Sequence, residues 1–343
     1  MQDLLDLLTG FWSSKFWLPP GLQWLHVEPN DDYNYTDYRH LYQFPFVLAL
    51  VVLLFRFALE KYCFCRLGLS LGLKYFKCKK APSNPVLEKA YKLSNKWSHK
   101  DIIGLSKHTD LSERQVERWL RLRKMQDKPS IIFKFSESCW RCFYYSNTFV
   151  FGLSTFWKEP WLTDWDLCWM NHPNQELSPE IWWFYMISLA FYVSMFMSQW
   201  FDPKRRDLWP TSLQHFIIVL FLAVSWICNF YRIGIIVLLL HDVSDALIQG
   251  GKAAKYVKSS KISTCVYVIL LCTWTTTRIL IYPLWLLHSA LFRGPTVLLK
   301  TFPAFHFLNS LLITLFVVHL YRSYLIAKVL VKGVSLDKVN IMS

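Results

Sequence analysis

Long apolar stretches alternate with shorter polar segments along the chain. A helix needs roughly 20 mostly apolar residues to cross the hydrocarbon core of a bilayer, and seven windows of the sequence approach that length. The pattern therefore predicts an all-α integral membrane protein in which about seven transmembrane helices form a bundle. The windows are Leu41–Leu59, Trp140–Trp157, Ile181–Phe201, Leu213–Phe230, Ile233–Ile248, Ser263–His288 and Phe305–Ile326. Only a few residues around Tyr231 separate the fourth and fifth windows, which predicts a tight helical hairpin.

Composition agrees with a membrane protein and excludes a disordered chain. Hydrophobic residues make up 53% of the sequence and charged residues only 18%, which is too apolar for an ordinary soluble surface. The nine cysteines show no paired spacing, so we expect no disulfide framework. The N-terminus lacks the order of a cleavable signal peptide, and the first window is predicted to be an uncleaved anchor.

The distribution of charge predicts the orientation. Between Glu60 and Ser138 there are 18 Lys/Arg against 8 Asp/Glu, whereas residues 1–40 hold 2 against 6. Because basic loops usually lie in the cytosol, the N-terminus is predicted to be lumenal, and Asn34 of the sequon Asn-Tyr-Thr becomes a candidate glycosylation site. The predicted division is a lumenal N-terminus (1–40), a first transmembrane helix (41–59), a basic cytosolic region (60–130), a helical membrane domain (131–330) and a short cytosolic tail (331–343).

Residues 85–130 of the basic region are predicted to form a small helical module. Ser112 and Gln115 are typical of a helix start, and the segment from Gln115 to Lys124 resembles the third helix of a homeodomain. Leu122 stands where that family reads adenine with an asparagine, and leucine cannot make this contact. We therefore expect a regulatory or membrane-surface module rather than a sequence-specific DNA binder. A membrane-tethered DNA-binding regulator is the remoter alternative.

Ionisable residues inside the predicted spans carry the main functional signal, because they are costly in a bilayer and usually face a cavity or a partner. His215, with Gln214 beside it, lies near the cytosolic mouth of the fourth span, and His241, Asp242 and Asp245 lie at a similar depth in the fifth. Helical spacing predicts a compact site of one imidazole and two carboxylates opposite His215. The alternatives are buried polar residues that tie helices together and, less favoured, a di-metal site.

The setting of this cluster favours acyl transfer. A basic cytosolic rim attracts a phosphate-bearing substrate while the bundle interior admits a lipid chain, and a histidine held by a carboxylate is a suitable base. Arg278 in the sixth span is expected to pair with an aspartate or with an anionic substrate group. The rim residues can bind phosphate or act as ordinary positive-inside anchors; they are Lys204, Arg205, Arg206, Lys252 and Lys255.

A series of motifs occurs in order along the chain: Phe16-Trp17-Leu18-Pro19-Pro20, the homeobox-like Arg114–Trp119, Cys139-Trp140-Arg141, Phe201–Asp207, Asn229-x-x-Arg232-x-Gly234, His241-Asp242-x-x-Asp245, Thr277-Arg278 and Pro283-Leu284-Trp285. This series resembles the ceramide synthases, membrane enzymes of the TLC-domain family that N-acylate sphingoid bases with fatty acyl-CoA. The resemblance covers nearly the whole chain.

The resemblance implies a TLC-type helical bundle in the endoplasmic reticulum membrane, with acyl-CoA and a sphingoid base as substrates and no metal or organic cofactor. It allows a homodimer or a heterodimer with related synthases, and it implies that the last lumenal loop, about Leu287–Pro303, influences acyl-chain length. His215 is then the base or covalent group, supported by His241, Asp242 and Asp245. The expected substrate contacts are Gln214, Arg278, Lys204, Arg205, Arg206 and Arg232.

Gln214 is the main departure from the family pattern, which has adjacent histidines here. Glutamine forms hydrogen bonds but cannot accept a proton or carry an acyl group as imidazole can. The open alternative is therefore a catalytically impaired relative that binds lipid or acyl-CoA and regulates a partner. A transporter is remoter, because no inverted repeat is evident in the sequence.

Overall fold

The structure is a computed structural model, and it describes residues 12–27, 35–74, 80–94, 97–127, 130–201 and 208–342. Within these ranges, side chains are described except at 199–201, 208–212, 214, 260 and 329–342. Several predictions fall outside the described residues: the glycosylation site Asn34, the basic run Lys204, Arg205 and Arg206, and the side chain of Gln214.

Helices account for the regular secondary structure of the described residues, which contain no β-strand. In chain order the longer ones are α1 (Pro45–Ala58), α2 (Pro85–Leu93), α3 (His99–Thr109), α4 (Glu113–Gln126), α5 (Ile131–Phe156), α6 (Pro179–Phe201), α7 (Leu208–Ile227), α8 (Tyr231–Tyr256), α9 (Ser260–Trp274) and α10 (Pro303–Met342). Each of the seven predicted windows overlaps one of these helices outside the α2–α4 insert, the first and sixth extending past the ends of α1 and α9, and the all-α fold class is confirmed.

Five helical stretches of the described chain are long and apolar enough to cross a membrane: His40–Ser70, Pro179–Ser198, Tyr231–Tyr256, Lys261–Leu298 and Pro303–Lys328. The other two predicted spans are α5, whose first half carries several charged side chains, and α7, which contributes the shorter apolar helix His215–Ile227. The protein is a multi-pass membrane protein.

The bundle has two ends. The first, called the N-terminal face, is formed by residues 12–27, 35–39, 157–178 and the turn between α7 and α8. Side chains join these segments: Thr36 donates to the Trp226 carbonyl over 2.8 Å, and Tyr231 donates to the Glu176 carbonyl over 2.6 Å. The opposite end, called the insert face, carries α2–α4. The predicted hairpin between α7 and α8 is confirmed, with Asn229 in the left-handed region at a φ of 56°.

Helix α8 runs through the centre of the bundle, and most of its residues are buried around the full helix circumference. A helix that is buried on every side must pack closely against several neighbours. Gly234 makes such packing possible, because a Cβ there would overlap the hydroxyl of Tyr185 on α6. Gly152 on α5 plays the same part, since a Cβ would lie 2.8 Å from Leu239 of α8. These contacts fix α5, α6 and α8 together around the polar residues of α8.

The segment after α9 differs from the expectation. The sequence was expected to form a loop over Leu287–Pro303, but the helix continues in π register through Thr275–Leu287 and Ser289–Arg293 and ends with Gly294–Leu298. Pro295 lies where the π-helical segment passes into the final α-helical turn. Only residues 299–302 connect this helix to α10. The predicted loop is therefore wrong over most of its length.

The insert is helical, as expected, and has a hydrophobic core of its own formed by Leu87, Val116, Trp119 and Leu120. Helix α4 begins at the predicted position, where Ser112 and Gln115 form a capping box. Trp119 donates to the Pro82 carbonyl over 2.6 Å. The insert is thus a small folded module on one end of the bundle.

A buried ionic cluster joins α1 and its continuation to α5 on the insert side. Arg56 donates to Glu60 over 2.8 Å and lies 3.9 Å from Glu137, and Arg141 lies 2.5 Å from the same Glu137 carboxylate. All four side chains are 10–14% exposed. Two arginines facing two glutamates leave the cluster neutral, which is how buried charges are usually accommodated.

Candidate active site

The polar residues of α8 are divided between two sides of the helix. His241 faces α10 and the π-helical segment Thr275–Leu287, whereas Asp242 faces α5. Asp245 lies between these directions and contacts Arg278. Consecutive residues of an α-helix point about 100° apart, so the expected compact cluster is distributed around α8 instead.

Arg278 is fully buried and is held by protein groups of α8 and α10. Its Nε donates to Ser244 over 3.1 Å, its Nη1 to His319 over 2.8 Å, and its Nη2 to the His241 carbonyl over 3.1 Å. The same Nη2 lies 3.5 Å from Asp245. Of the two uses expected for Arg278, the structure shows the ion pair with an aspartate. Asp245 is 11% exposed at its side chain, so the pair is largely removed from solvent.

Both ring nitrogens of His241 have neighbours within the protein. Nδ1 donates to the Val237 carbonyl over 2.6 Å, and Nε2 lies 3.0 Å from Nε2 of His319. The ring is 2% exposed and contacts Tyr282 edge-on. His241 therefore presents no free nitrogen to a substrate in this arrangement.

Asp242 lies in a different environment on the α5 side. Its Oδ2 accepts a hydrogen bond from Thr148 over 2.8 Å, whereas its Oδ1 is buried and has no partner among the described residues. The hydroxyls of Tyr144 on α5 and Tyr192 on α6 are likewise buried without a hydrogen-bond partner in the described chain. Both tyrosines interact electrostatically with Asp242. We call the three atoms Asp242 Oδ1, Tyr144 Oη and Tyr192 Oη the open polar group.

His215 belongs to the side of the open polar group. It is 5% exposed on α7, and its ring centroid lies 6.1 Å from that of Tyr192. The structure therefore places His215 beside Tyr192, which in turn interacts electrostatically with Asp242.

The remaining predicted residues lie at the two ends of the bundle. Arg232 lies nine residues before His241, about 14 Å away along α8, where its Nη1 donates to the Leu167 carbonyl over 2.9 Å on the N-terminal face. Lys252 and Lys255 are exposed at the insert-face end of α8. Lys252 interacts electrostatically with two arginines, Arg141 and Arg322, and with two carboxylates, Asp245 and Glu137.

His319, Thr148 and Tyr192 were not identified from the sequence. His319 carried a usable signal, because it is an ionisable residue inside the last apolar window and is 1% exposed. Thr148 and Tyr192 carried none, since such residues are common in membrane helices. For the di-metal alternative, the described residues contain no group of three or more His, Cys, Asp or Glu side chains that could hold a metal ion.

The fold and the site define a multi-pass membrane protein of the TLC-domain class, and residues 134–328 match the TLC domain family. The chain is 35% identical over 341 residues to ceramide synthase 5 of Mus musculus, covering 98% of this chain and 82% of that protein. It is 35% identical over 323 residues to ceramide synthase 3 of Homo sapiens and 33% identical over 326 residues to ceramide synthase 4 of Homo sapiens, covering 83% and 81% of those proteins. The chain belongs to the ceramide synthase family.

Proposed function

We propose that this protein transfers a fatty acyl group from acyl-CoA to the amine of sphinganine or sphingosine. The observation that carries the proposal is the open polar group beside His215, buried in an otherwise apolar bundle. A sphingoid base carries one amine and two hydroxyls at the end of a long hydrocarbon chain. Three polar substituents match three buried protein atoms that lack partners, and each unmade hydrogen bond of this kind costs free energy until a ligand supplies it.

The residues around the open polar group suit acyl transfer to an amine. An ammonium group must lose a proton before its nitrogen can attack a thioester carbonyl carbon. His215 accepts that proton, and the Asp242 carboxylate stabilises first the ammonium and then the imidazolium. The C–N bond forms, the C–S bond breaks, and the thiolate of CoA takes the second amine proton. In the alternative role His215 carries the acyl group covalently between the two substrates.

The polar and the apolar parts of the substrates bind in two different regions, the basic insert face and the apolar helices around the site. The exposed Lys252 and Lys255, with Arg322 nearby, attract the phosphates of CoA to the insert face. The apolar helices around the site accept the two hydrocarbon chains. No step of this reaction requires a metal or an organic cofactor, because the thioester already activates the acyl group.

We place the protein in the endoplasmic reticulum membrane with the N-terminal face lumenal and the insert face cytosolic. The support is the excess of 18 Lys/Arg over 8 Asp/Glu between Glu60 and Ser138. On this orientation Asn34 is lumenal and can be glycosylated, and the CoA thioester arrives from the cytosol. Pairing with a second synthase chain is compatible with this arrangement.

Gln214 favours a second candidate function. If the family reaction needs a histidine at this position, the chain binds its substrates without turnover and regulates an active partner. The insert does not favour DNA binding, because Arg123 of α4 is engaged by Glu88 at 2.8 Å and Asp127 at 2.6 Å, and Leu122 makes no base contact.

The test is amide formation by the full-length protein purified into lipid nanodiscs, with sphinganine and a panel of acyl-CoA lengths. The expected result is one amide per CoA thiol released, at a rate that His215→Ala lowers at least 100-fold. His306→Ala is the matched control, because that histidine is exposed near the start of α10. Sphinganine binding with no amide from the natural chain, and turnover only in Gln214→His, would establish the regulatory alternative instead.

A further inference from the structure

Polar residues follow one side of α8 from the candidate site to the insert face. They are Asp242, Asp245, Gln249 and Lys252, and at about 100° per residue they lie within about 80° of one another around the helix. Exposure increases along this series: as whole residues, Asp242 is 1% exposed and Asp245 and Gln249 are each 8% exposed, whereas Lys252 is exposed. The series, which we call the polar stripe of α8, therefore runs from the open polar group to the surface.

Helix α5 packs along the same stretch of α8, and two contacts define how the helices are aligned. Thr148 donates to Asp242 over 2.8 Å near one end, and a Cβ on Gly250 would lie 3.5 Å from Cys142 Sγ near the other. Tyr145 lies between these contacts along α5 and interacts electrostatically with the two carboxylates of the polar stripe. Tyr145 is therefore beside the polar stripe, about one helical turn closer to the insert face than Thr148.

Two polar side chains of this region have no hydrogen-bond partner within the described chain. Neither the hydroxyl of Tyr145 nor the side-chain amide of Gln249 forms a hydrogen bond with a described residue, although the two residues are only 5% and 8% exposed. Asp245, by contrast, is paired with Arg278. Because a largely buried polar group without a partner costs free energy, a hydroxyl and an amide in succession indicate a ligand that carries hydrogen-bonding groups at matching intervals.

The arm of CoA has hydrogen-bonding groups at these intervals. About thirteen bonds separate its phosphorus from its sulfur, which is the length of roughly four extended residues, or about 15 Å. Lys252 lies ten residues beyond Asp242, which is also about 15 Å along α8. The two amides of the arm begin about 4 and 9 Å from the sulfur. Tyr145 and Gln249 lie about 5 and 10 Å from the level of Asp242 along the helix axes.

We propose that Tyr145 and the polar stripe of α8 bind the phosphopantetheine arm of acyl-CoA. The inference rests on the proposed acyltransferase function. Lys252 binds the phosphate, Gln249 binds the amide farther from the sulfur, and the Tyr145 hydroxyl donates to the carbonyl of the nearer amide. The thioester then arrives on the same side of α8 as Asp242, where the amine binds, so the two reacting groups meet near His215. No bond of the arm changes; its binding positions the thioester.

Three thioether analogues test this assignment without turnover. The octyl thioethers of CoA, pantetheine and N-acetylcysteamine all carry the amide nearer the sulfur, but only the first two carry the second amide and only the first carries phosphate. The measurement is Kd for the full-length protein in nanodiscs, with empty nanodiscs to correct for partition into lipid. We expect Lys252→Gln to raise Kd roughly tenfold for the CoA thioether alone. Gln249→Met should raise it roughly three- to tenfold for the CoA and pantetheine thioethers, and Tyr145→Phe for all three.

Lys258→Gln is the matched control, because Lys258 is exposed just beyond the end of α8, and it should leave all three constants unchanged. An unchanged melting temperature shows that a variant is folded, and Gln249→Leu replaces Gln249→Met if the latter is not. Equal effects of the folded Gln249 variant on all three analogues, or no effect on the CoA thioether, would overturn the proposal. The graded pattern without amide formation would support binding of the arm and contradict the proposed reaction. Amide formation without the pattern would do the reverse.

Discussion

The hydroxyl of Thr148 on α5 donates a hydrogen bond to Oδ2 of Asp242 on α8 across 2.8 Å. This bond holds one oxygen of the carboxylate and leaves the other buried without a described partner. The Asp242 carboxylate is therefore held in one orientation while one of its oxygens still lacks a hydrogen-bond partner, as expected of a group that binds the substrate ammonium.

Thr148→Val tests this orientation. Valine keeps the shape of threonine but removes the donor, and a hydrogen bond to a charged group contributes about 1.5–3 kcal/mol. We expect KM for sphinganine to rise roughly tenfold or more, with KM for acyl-CoA unchanged. Thr148→Ser retains the hydroxyl and serves as the control. Equal KM values in the valine and serine variants would show that the bond does not serve substrate binding.

Arg278 and Asp245 form a buried pair whose rupture should be costly. Their side chains are 1% and 11% exposed, and removal of one partner from such a pair typically costs about 3–5 kcal/mol. We predict a large loss of thermal stability for Arg278→Met in detergent. Arg293→Met is the control, because Arg293 is 59% exposed where it meets Asp166, and an exposed pair contributes about 0–1 kcal/mol. Similar melting temperatures for the two variants would contradict this account.

His172 on the N-terminal face predicts a dependence of stability on pH. Its Nε2 donates to the Cys228 carbonyl over 2.7 Å, Nδ1 is buried without a described partner, and burial lowers the pKa of the imidazole to about 4. Between about pH 4 and the ordinary imidazole pKa of 6.5, this residue therefore binds more protons in the unfolded chain than in the folded chain. The stabilisation is complete above pH 6.5 and is lost as the pH falls toward 4.

The lowering of the pKa from 6.5 to about 4 corresponds to a loss of about 3 kcal/mol in the free energy of unfolding at low pH. The measurement is the melting temperature of the natural chain and of His172→Gln from pH 7.5 to 4.5. Glutamine keeps an N–H donor for Cys228 but does not titrate, so its melting temperature should fall less steeply with acid. Parallel curves for the two proteins would remove His172 as the cause.

Close packing at Gly234 gives a prediction of a different kind. A methyl group there would overlap the Tyr185 hydroxyl, and overpacking of this sort costs about 1–3 kcal/mol. Gly234→Ala should therefore lower the melting temperature, and Tyr185→Phe should restore part of the loss by removing the overlapping oxygen. If the two substitutions destabilise additively, the Tyr185 hydroxyl does not pack closely against Gly234.

The sequence predicted the membrane helices because length and apolarity suffice to define them. The tight turn at Asn229 followed from the same pattern. The site was harder to predict. His241 and Asp242 are neighbours in sequence, so helix geometry alone sends them to different sides of α8. Which side contacts α5 and which contacts α10 depends on tertiary packing. The helix through Pro295 could not be foreseen, since a basic residue, glycine and proline in succession usually indicate a loop.

The central claim is that the open polar group binds the head of the sphingoid base, and two tyrosines on α6 test it directly. Tyr185 and Tyr192 are both buried, but the Tyr185 hydroxyl lies 2.6 Å from Ser225 Oγ whereas the Tyr192 hydroxyl has no partner among the described residues. The measurement is KM for sphinganine in Tyr192→Phe and Tyr185→Phe at saturating acyl-CoA. We predict a rise of roughly three- to tenfold for Tyr192→Phe and no rise for Tyr185→Phe. An unchanged KM in Tyr192→Phe, or the same rise in both, would contradict the claim.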